Sequence, residues 1–260
     1  MVNFFIIILF ILLVLSVIKI YQMPNLILVR HGQSEWNLEK RFTGWVDIDL
    51  TGQGKLEACK SGEDIKKLKI NIDYFFSSFQ LRAINTLKLI QDTLRDSKKP
   101  IKAWQLNERH YGALTGLNKD EMKKKLGEDK IHEFRRSWNT KPEPLSKNNP
   151  YHPLNIEVYK NIPKEKIPDT ESLKDTYERV IEYYRSDIHN KLVENKNIVI
   201  SAHGNSIRAL CKFLFKLDDK KISLLEIPTG NPLLINLNSK QEINECRYLD
   251  NDRAKDLLVF

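Results

Sequence analysis

Residues 26–34 read Leu26-Ile27-Leu28-Val29-Arg30-His31-Gly32-Gln33-Ser34, and residues 198–206 read Ile198-Val199-Ile200-Ser201-Ala202-His203-Gly204-Asn205-Ser206. Each is a short apolar run followed by His-Gly, an amide side chain and Ser. A continuous apolar run of this length is consistent with a strand buried on both faces. In a parallel sheet both histidines emerge at the carboxyl ends of their strands, the edge where open α/β sheets bind ligands. Glycine after each histidine lets the backbone turn tightly and approach a ligand. The N–H groups that follow can face an anion.

Working outward, further strands are expected at 73–77, 197–202 and 232–237, with a weaker one at 101–106. Helical spacing is present over 52–68, over 82–94 (Ala83, Leu87, Ile90, Leu94) and over 207–217. A long amphipathic helix is expected at 172–192, with Thr170 or Ser172 as its cap. Strands alternating with helices imply an α/β fold, a three-layer αβα sandwich with a mostly parallel central sheet. Residues 139–170 hold Pro142, Pro144, Pro150, Pro153, Pro163 and Pro168 with little hydrophobic period. A functional lid and a passive surface loop are both open readings of this excursion. The expected organisation is a hydrophobic segment at 1–22, a catalytic domain at 23–250 and a tail at 251–260.

Hydrophobic residues make up 41% of the 260, enough for a substantial core and too many for a disordered chain. The formal charge of +8 suits nucleic acid, anionic lipid or phosphorylated small molecules. The basic residues are interleaved with acids, as in Glu63-Asp64-Ile65-Lys66-Lys67, and no nucleic-acid-binding signature is present, so nucleic acid is not an expected partner. Cys59, Cys211 and Cys246 are too few and too far apart for a disulfide framework or a metal knuckle, which points to a reducing compartment.

Residues 4–18 are apolar except for Ser16, and Lys19 then interrupts the run. This is short for a membrane span and long for the core of a signal peptide. There is no basic residue before it and no small-x-small cleavage site after it, so an uncleaved anchor is the better reading than a secretory signal. Positive charge follows the segment, which would leave the catalytic domain on the cytoplasmic side. Membrane contact through 4–20 and an appended extension upstream of Met23 both stay open.

Arg30 places a cation at the end of a buried strand, where burial is costly unless an anion joins it. Phosphate suits a guanidinium fork, and a neutral imidazole beside it can act as a nucleophile toward phosphorus. A zinc site is disfavoured, because neither histidine has a second histidine or carboxylate at a tight ligand spacing.

The stretch from Leu28 to Asn37 closely resembles the signature of the histidine phosphatase superfamily. Arg41-Phe42-Thr43-Gly44-Trp45, Leu106-Asn107-Glu108-Arg109-His110-Tyr111-Gly112-Ala113-Leu114, Gly116-Leu117-Asn118-Lys119, Ala202-His203-Gly204-Asn205-Ser206 and Ile227-Pro228-Thr229-Gly230 narrow the resemblance to the cofactor-dependent phosphoglycerate mutases. It runs from about residue 25 to about 249. It implies a phosphohistidine at His31, with Arg30, Arg82 and His203 around the transferring group, and Asn37 and the Gly204 backbone on its oxygens. Glu108 is then the general acid and base. Tyr111, Lys119, Arg135 and Arg136 grip the far end of the substrate, Thr43 and Gly44 contact its backbone, and Asn205 completes the binding set.

The resemblance further implies 2,3-bisphosphoglycerate as phosphoryl primer, no metal, phosphorylated three-carbon acids as substrates and a homo-oligomer, dimer or tetramer. The implied reaction is the glycolytic and gluconeogenic interconversion of 2- and 3-phosphoglycerate. A phosphatase of the same superfamily and a membrane-tethered, non-catalytic phospholigand-binding paralogue are the alternatives. Departures from the family pattern fall at Phe79-Gln80, at Leu81, where Lys is usual, at Asn231, and around 141–150. Leu81 is expected to weaken the phosphate pocket or to shift the balance of mutase, phosphatase and synthase activities.

Overall fold

The computed structural model describes residues 23–254 and 257. Its centre is a six-stranded sheet of β1 (Asn25–Arg30), β2 (Tyr74–Ser77), β3 (Ile101–Lys102), β4 (Ile198–Ala202), β5 (Leu233–Leu237) and β6 (Ile243–Tyr248), in the order β3-β2-β4-β1-β5-β6. The first four strands run parallel, and β5 and β6 add an antiparallel flank. The two histidine strands are therefore neighbours, with Leu26 opposite Ile198 and Arg30 opposite Ala202.

The continuous apolar runs follow from this placement. Leu26, Leu28, Ile198 and Ile200 point into one core, and Ile27, Val29 and Val199 into the other. Burying each such side chain is worth roughly 1.5–3 kcal/mol. One face is covered by α2 (Gly52–Lys66) and α3 (Leu81–Leu94) through Ile65, Leu87 and Ile90. The other is covered by α6 (Leu173–Tyr183), α7 (His189–Val193) and α8 (Gly204–Leu214). Short helices α1 (Glu35–Leu38), α4 (Lys119–Leu126), α5 (Glu128–Arg136) and α9 (Asp219–Leu224) lie along the connections. The result is the three-layer αβα arrangement, with a mixed sheet.

Several expectations shift in detail. The weak strand at 101–106 pairs for only two residues and then tightens into a 3-10 turn at Trp104–Leu106. β6, an edge strand of largely exposed polar residues, has no sequence signal because no hydrophobic alternation is required of it. Ser172, not Thr170, caps α6: its side chain accepts from Asp175 N–H, while the Thr170 hydroxyl donates to Pro142 O. The long helix at 172–192 contains a π-turn at Tyr184–Ile188. The helix after β4 starts at Gly204, directly behind His203.

The proline-rich excursion forms 3-10 turns at Pro153–Asn155, Glu157–Tyr159 and Lys164–Lys166. Tyr159, Ile162 and Ile167 build a small core with Trp45, and the Tyr159 hydroxyl donates to Trp45 O at 2.6 Å. The excursion thus buttresses the 41–47 loop. The anchor expectation for 1–22 lies outside the described residues; among the described residues no helix is long and apolar enough to cross a membrane.

The turn after β1 depends on two glycines in contact. A Cβ on Gly32 would stand 2.1 Å from Gly54 O, and one on Gly54 would stand 2.0 Å from Gln33 O. The first turn of α2 thereby lies directly on the backbone that follows His31. Gly54→Ala is expected to cost about 1–3 kcal/mol, read by urea unfolding of the full chain, and to lower activity at permissive temperature because the strain falls on the His31 turn.

Candidate active site

A cavity of about 130 Å³ opens at the carboxyl edge of β1 and β4. It is lined by Arg30, His31, Asn37, Thr43, Gly44, Arg82, Glu108, Tyr111, Lys119, Arg135, Arg136, Gly204 and Asn205. These are all of the expected site residues except His203. His203 is fully buried beside His31, with ring centroids 5.0 Å apart.

His31 Nδ1 lies 2.7 Å from Gly32 O. A carbonyl only accepts, so Nδ1 carries the proton and Nε2 keeps its lone pair. Burial, with the charges of Arg82 and Arg30, holds the imidazole well below its ordinary pKa, so His31 is neutral and nucleophilic at physiological pH. His203 is likewise held neutral by burial and by Arg82. Its Nε2 lies 2.8 Å from Ser78 Oγ, which already accepts from Gln80 N–H. The Ser78 hydroxyl proton can be given to Nε2, and His203 Nδ1 is a buried ring nitrogen without a protein partner, which in that tautomer carries a proton to donate.

Arg30 and Arg82 are held by carbonyls, not by acids. Arg30 Nη1 donates to Ile227 O at 2.8 Å. Arg82 Nη1 and Nη2 donate to Val46 O and Gly44 O at 2.9 Å each. Among the described residues Arg30, Arg82, Lys119, Arg135 and Arg208 form no ion pair, and Arg30 Nε and Arg208 Nε are buried without a partner. Burying cations this way is costly unless an anion completes them. The donor set fits a ligand bearing more than one phosphate or carboxylate, the chemistry of 2,3-bisphosphoglycerate. Gly204 faces both groups: a Cβ there would make ordinary contacts, 3.6 Å from Arg30 Nε and 3.8 Å from Glu108 Oε2.

Glu108 is nearly buried at the cavity wall; its Oε1 accepts from the N–H groups of Arg109 at 2.7 Å and Asn205 at 3.2 Å. The Tyr111 hydroxyl accepts from Asn205 Nδ2 at 3.1 Å. Lys119 Nζ donates to Arg41 O, and burial pushes its ammonium down to about 8.

Arg41, Arg208, Glu226 and Ile227 also line the cavity; Arg41 and Ile227 fall in motifs that carry the resemblance but have no assigned role there, and Arg208 and Glu226 have no sequence-level signal. Arg208 reaches the carbonyls of Arg135 and Arg136 at 3.4 and 3.3 Å, and Arg109 reaches those of Phe134 and Arg135 at 2.7 and 3.3 Å. Two buried guanidiniums thus hold the C-terminal end of α5, where the helix dipole is negative, and this sets the Arg135 and Arg136 side chains at the cavity.

Gln80, one of the departures, is fully buried. Its Nε2 donates to Gly44 O at 2.8 Å and its Oε1 accepts from Glu108 N–H at 2.9 Å, joining the loop of Thr43 and Gly44 to the backbone of Glu108. Leu81, another departure, has an exposed side chain that does not line the cavity. Only its N–H is engaged, with Asp47. Asn231 makes two hydrogen bonds to the Asp250 backbone and ties down the C-terminal segment. Among the described residues no group of three or more His, Cys, Asp or Glu side chains is placed to hold a metal ion.

The model of the histidine phosphatase superfamily, branch 1, matches residues 26–249. A 2,3-bisphosphoglycerate-dependent phosphoglycerate mutase of Pelagibacter ubique is 81% identical over 238 residues, covering 92% of this chain and all of that one. The chain belongs to the 2,3-bisphosphoglycerate-dependent phosphoglycerate mutases. A mutase of the same name from Maricaulis maris is 48% identical over 237 residues, covering 90% of this chain and 98% of its own. Among solved structures, a mycobacterial glucosyl-3-phosphoglycerate phosphatase complexed with VO3 superposes with a TM-score of 0.64 at 22% identity, over 86% of this chain and 96% of that one. That likeness bears on the mutase family's fold alone.

Two outcomes follow from this geometry. Gln80→Leu strands the buried N–H of Glu108; a loss of about 1–3 kcal/mol in stability is expected by urea unfolding, together with a fall in kcat. The phosphoglycerate KM is expected to be flat below about pH 8 and to rise above it as Lys119 loses its charge. Steady-state kinetics across pH 7–10 check this, and Lys119→Met removes the alkaline rise while raising KM throughout.

Proposed function

We propose that this chain is a mutase interconverting 2-phosphoglycerate and 3-phosphoglycerate, with the phosphoryl group carried on His31 Nε2. The observation that carries the reading is the neutral His31, its Nδ1 proton fixed on Gly32 O, set among buried arginines that lack counter-ions. When bound, 2,3-bisphosphoglycerate supplies the phosphoryl group that charges the enzyme.

With the phosphoryl group on His31, the Arg30 and Arg82 guanidiniums, His203 Nδ1–H, Asn37 and the Gly204 backbone balance its equatorial oxygens. The substrate hydroxyl forms the new O–P bond as its proton passes to the Glu108 carboxylate. The N–P bond breaks and its electron pair returns to Nε2. Glu108 gives the proton back when the other phosphate moves to His31 in the second half. Lys119, Arg135, Arg136 and Tyr111 hold the far end, which bears a carboxylate or a phosphate depending on the half-reaction. Thr43 and Gly44 lie along the three-carbon backbone.

A second hydroxyl acceptor, rather than water, is favoured by the cations at the end remote from His31, which a plain phosphatase does not need. The catalytic unit spans 23–250 and works as a homo-oligomer on the cytoplasmic side.

His31→Ala is expected to abolish coupled mutase turnover while leaving the far-ultraviolet circular dichroism unchanged. The unmodified chain, incubated with 2,3-bisphosphoglycerate, should acquire acid-labile phosphate that the variant lacks. Mutase activity retained in the variant, or a primed enzyme that only releases inorganic phosphate, would end this reading.

A further inference from the structure

Two carboxylates line the cavity, and the mechanism uses only Glu108. The other, Glu226, pairs with Arg136, one of the three cations at the far end. Its position is set by the backbone: the Tyr248 hydroxyl donates to Glu226 O at 3.2 Å, and the neighbouring Ile227 O accepts from Arg30. Glu226 is thus built into the same segment that holds a phosphoryl-binding arginine. Its side chain is about half exposed, and a pair this open to solvent is weak enough for a ligand anion to displace.

A carboxylate inside a site for polyanions repels every ligand, and it repels the ligand with more charge the most. A doubly phosphorylated three-carbon acid exceeds its singly phosphorylated partner by one whole phosphate, roughly −1.5 to −2 in charge at neutral pH. The proposed reaction requires the doubly phosphorylated species to turn around or rebind between its two transfers. A site that held it as tightly as its cations allow would fix one orientation.

We infer that Glu226 is a specificity-determining residue: a resident counter-anion for Arg136 that weakens the hold on the bisphosphorylated acid relative to the monophosphorylated one. The inference rests on the mutase reading given above. It assigns the acidic side chain a repulsive task in discrimination.

The test is calorimetric titration of the full chain carrying His31→Asn, so that no phosphate is transferred, with and without Glu226→Gln. The ligands are 2,3-bisphosphoglycerate and 3-phosphoglycerate. The Gln variant is expected to bind the bisphosphate about fivefold more tightly and the monophosphate no more than about twofold. Added salt should shrink the difference. In chains with His31 intact, the bisphosphate concentration for half-maximal activation should fall in the same proportion, and Glu226→Asp, which keeps the charge, should stay near the parent. Equal or weaker bisphosphate binding in the Gln variant, or equal tightening of both ligands, overturns the inference and leaves Glu226 as a mere anchor for Arg136. A parent chain without bisphosphate-dependent mutase activity overturns the underlying reading, and this inference with it.

Discussion

The structure turns on two guanidiniums, Arg82 fully and Arg30 partly buried, that have no counter-ion among the described residues and lie beside two neutral imidazoles. Arg30 and Arg82 are each held by backbone carbonyls, which orient a guanidinium but do not neutralise it. Burial, and after it the same positive field, keeps the imidazoles unprotonated. One arrangement therefore produces both the nucleophile and the cradle for what it attacks. The energetic cost of desolvating these groups is sustained by the apolar layers on either side of β1 and β4, and is offset when a polyanion enters.

The rest of the molecule holds that cluster in register. The 41–47 loop, whose carbonyls grip Arg82, is backed by the Trp45–Tyr159 core of the proline-rich excursion. Gln80 ties the same loop to Glu108, so the general acid and base and the phosphoryl-binding arginine share one support. Arg109 and Arg208 fasten the end of α5 and so fix the remote cations from behind. None of the residues of the excursion lines the cavity; the contact it makes with the site is the support of this loop.

The layers and the site edge were legible because they rest on short-range rules. The runs at 26–29 and 198–202 have to be buried strands, and a histidine at the end of each has to meet the other if those strands pair. Residues with intrinsic chemistry at motif positions, such as Arg30, Glu108 and Lys119, were legible through family resemblance. Gln80 and Arg208 were not, because their importance lies in which carbonyls they reach, and sequence spacing carries no such information. Glu226 was hidden for the same reason, being an ordinary acid until the fold places it opposite Arg136. β6 escaped because an edge strand facing solvent needs no apolar period.

The strand order has a consequence for how the protein is made. β1 lies between β4 and β5, and its residue Asn25 bonds to Asn197, 172 positions further on. At about 5–20 residues per second of synthesis, the innermost strand leaves the ribosome many seconds before either of its flanking partners exists. Its two bare edges and its two apolar faces, Leu26 and Leu28 on one and Ile27 and Val29 on the other, must be kept from wrong pairings throughout that interval. Catalytic competence then arrives in a single late step, when the C-terminal third closes around a strand that was among the first described segments to emerge.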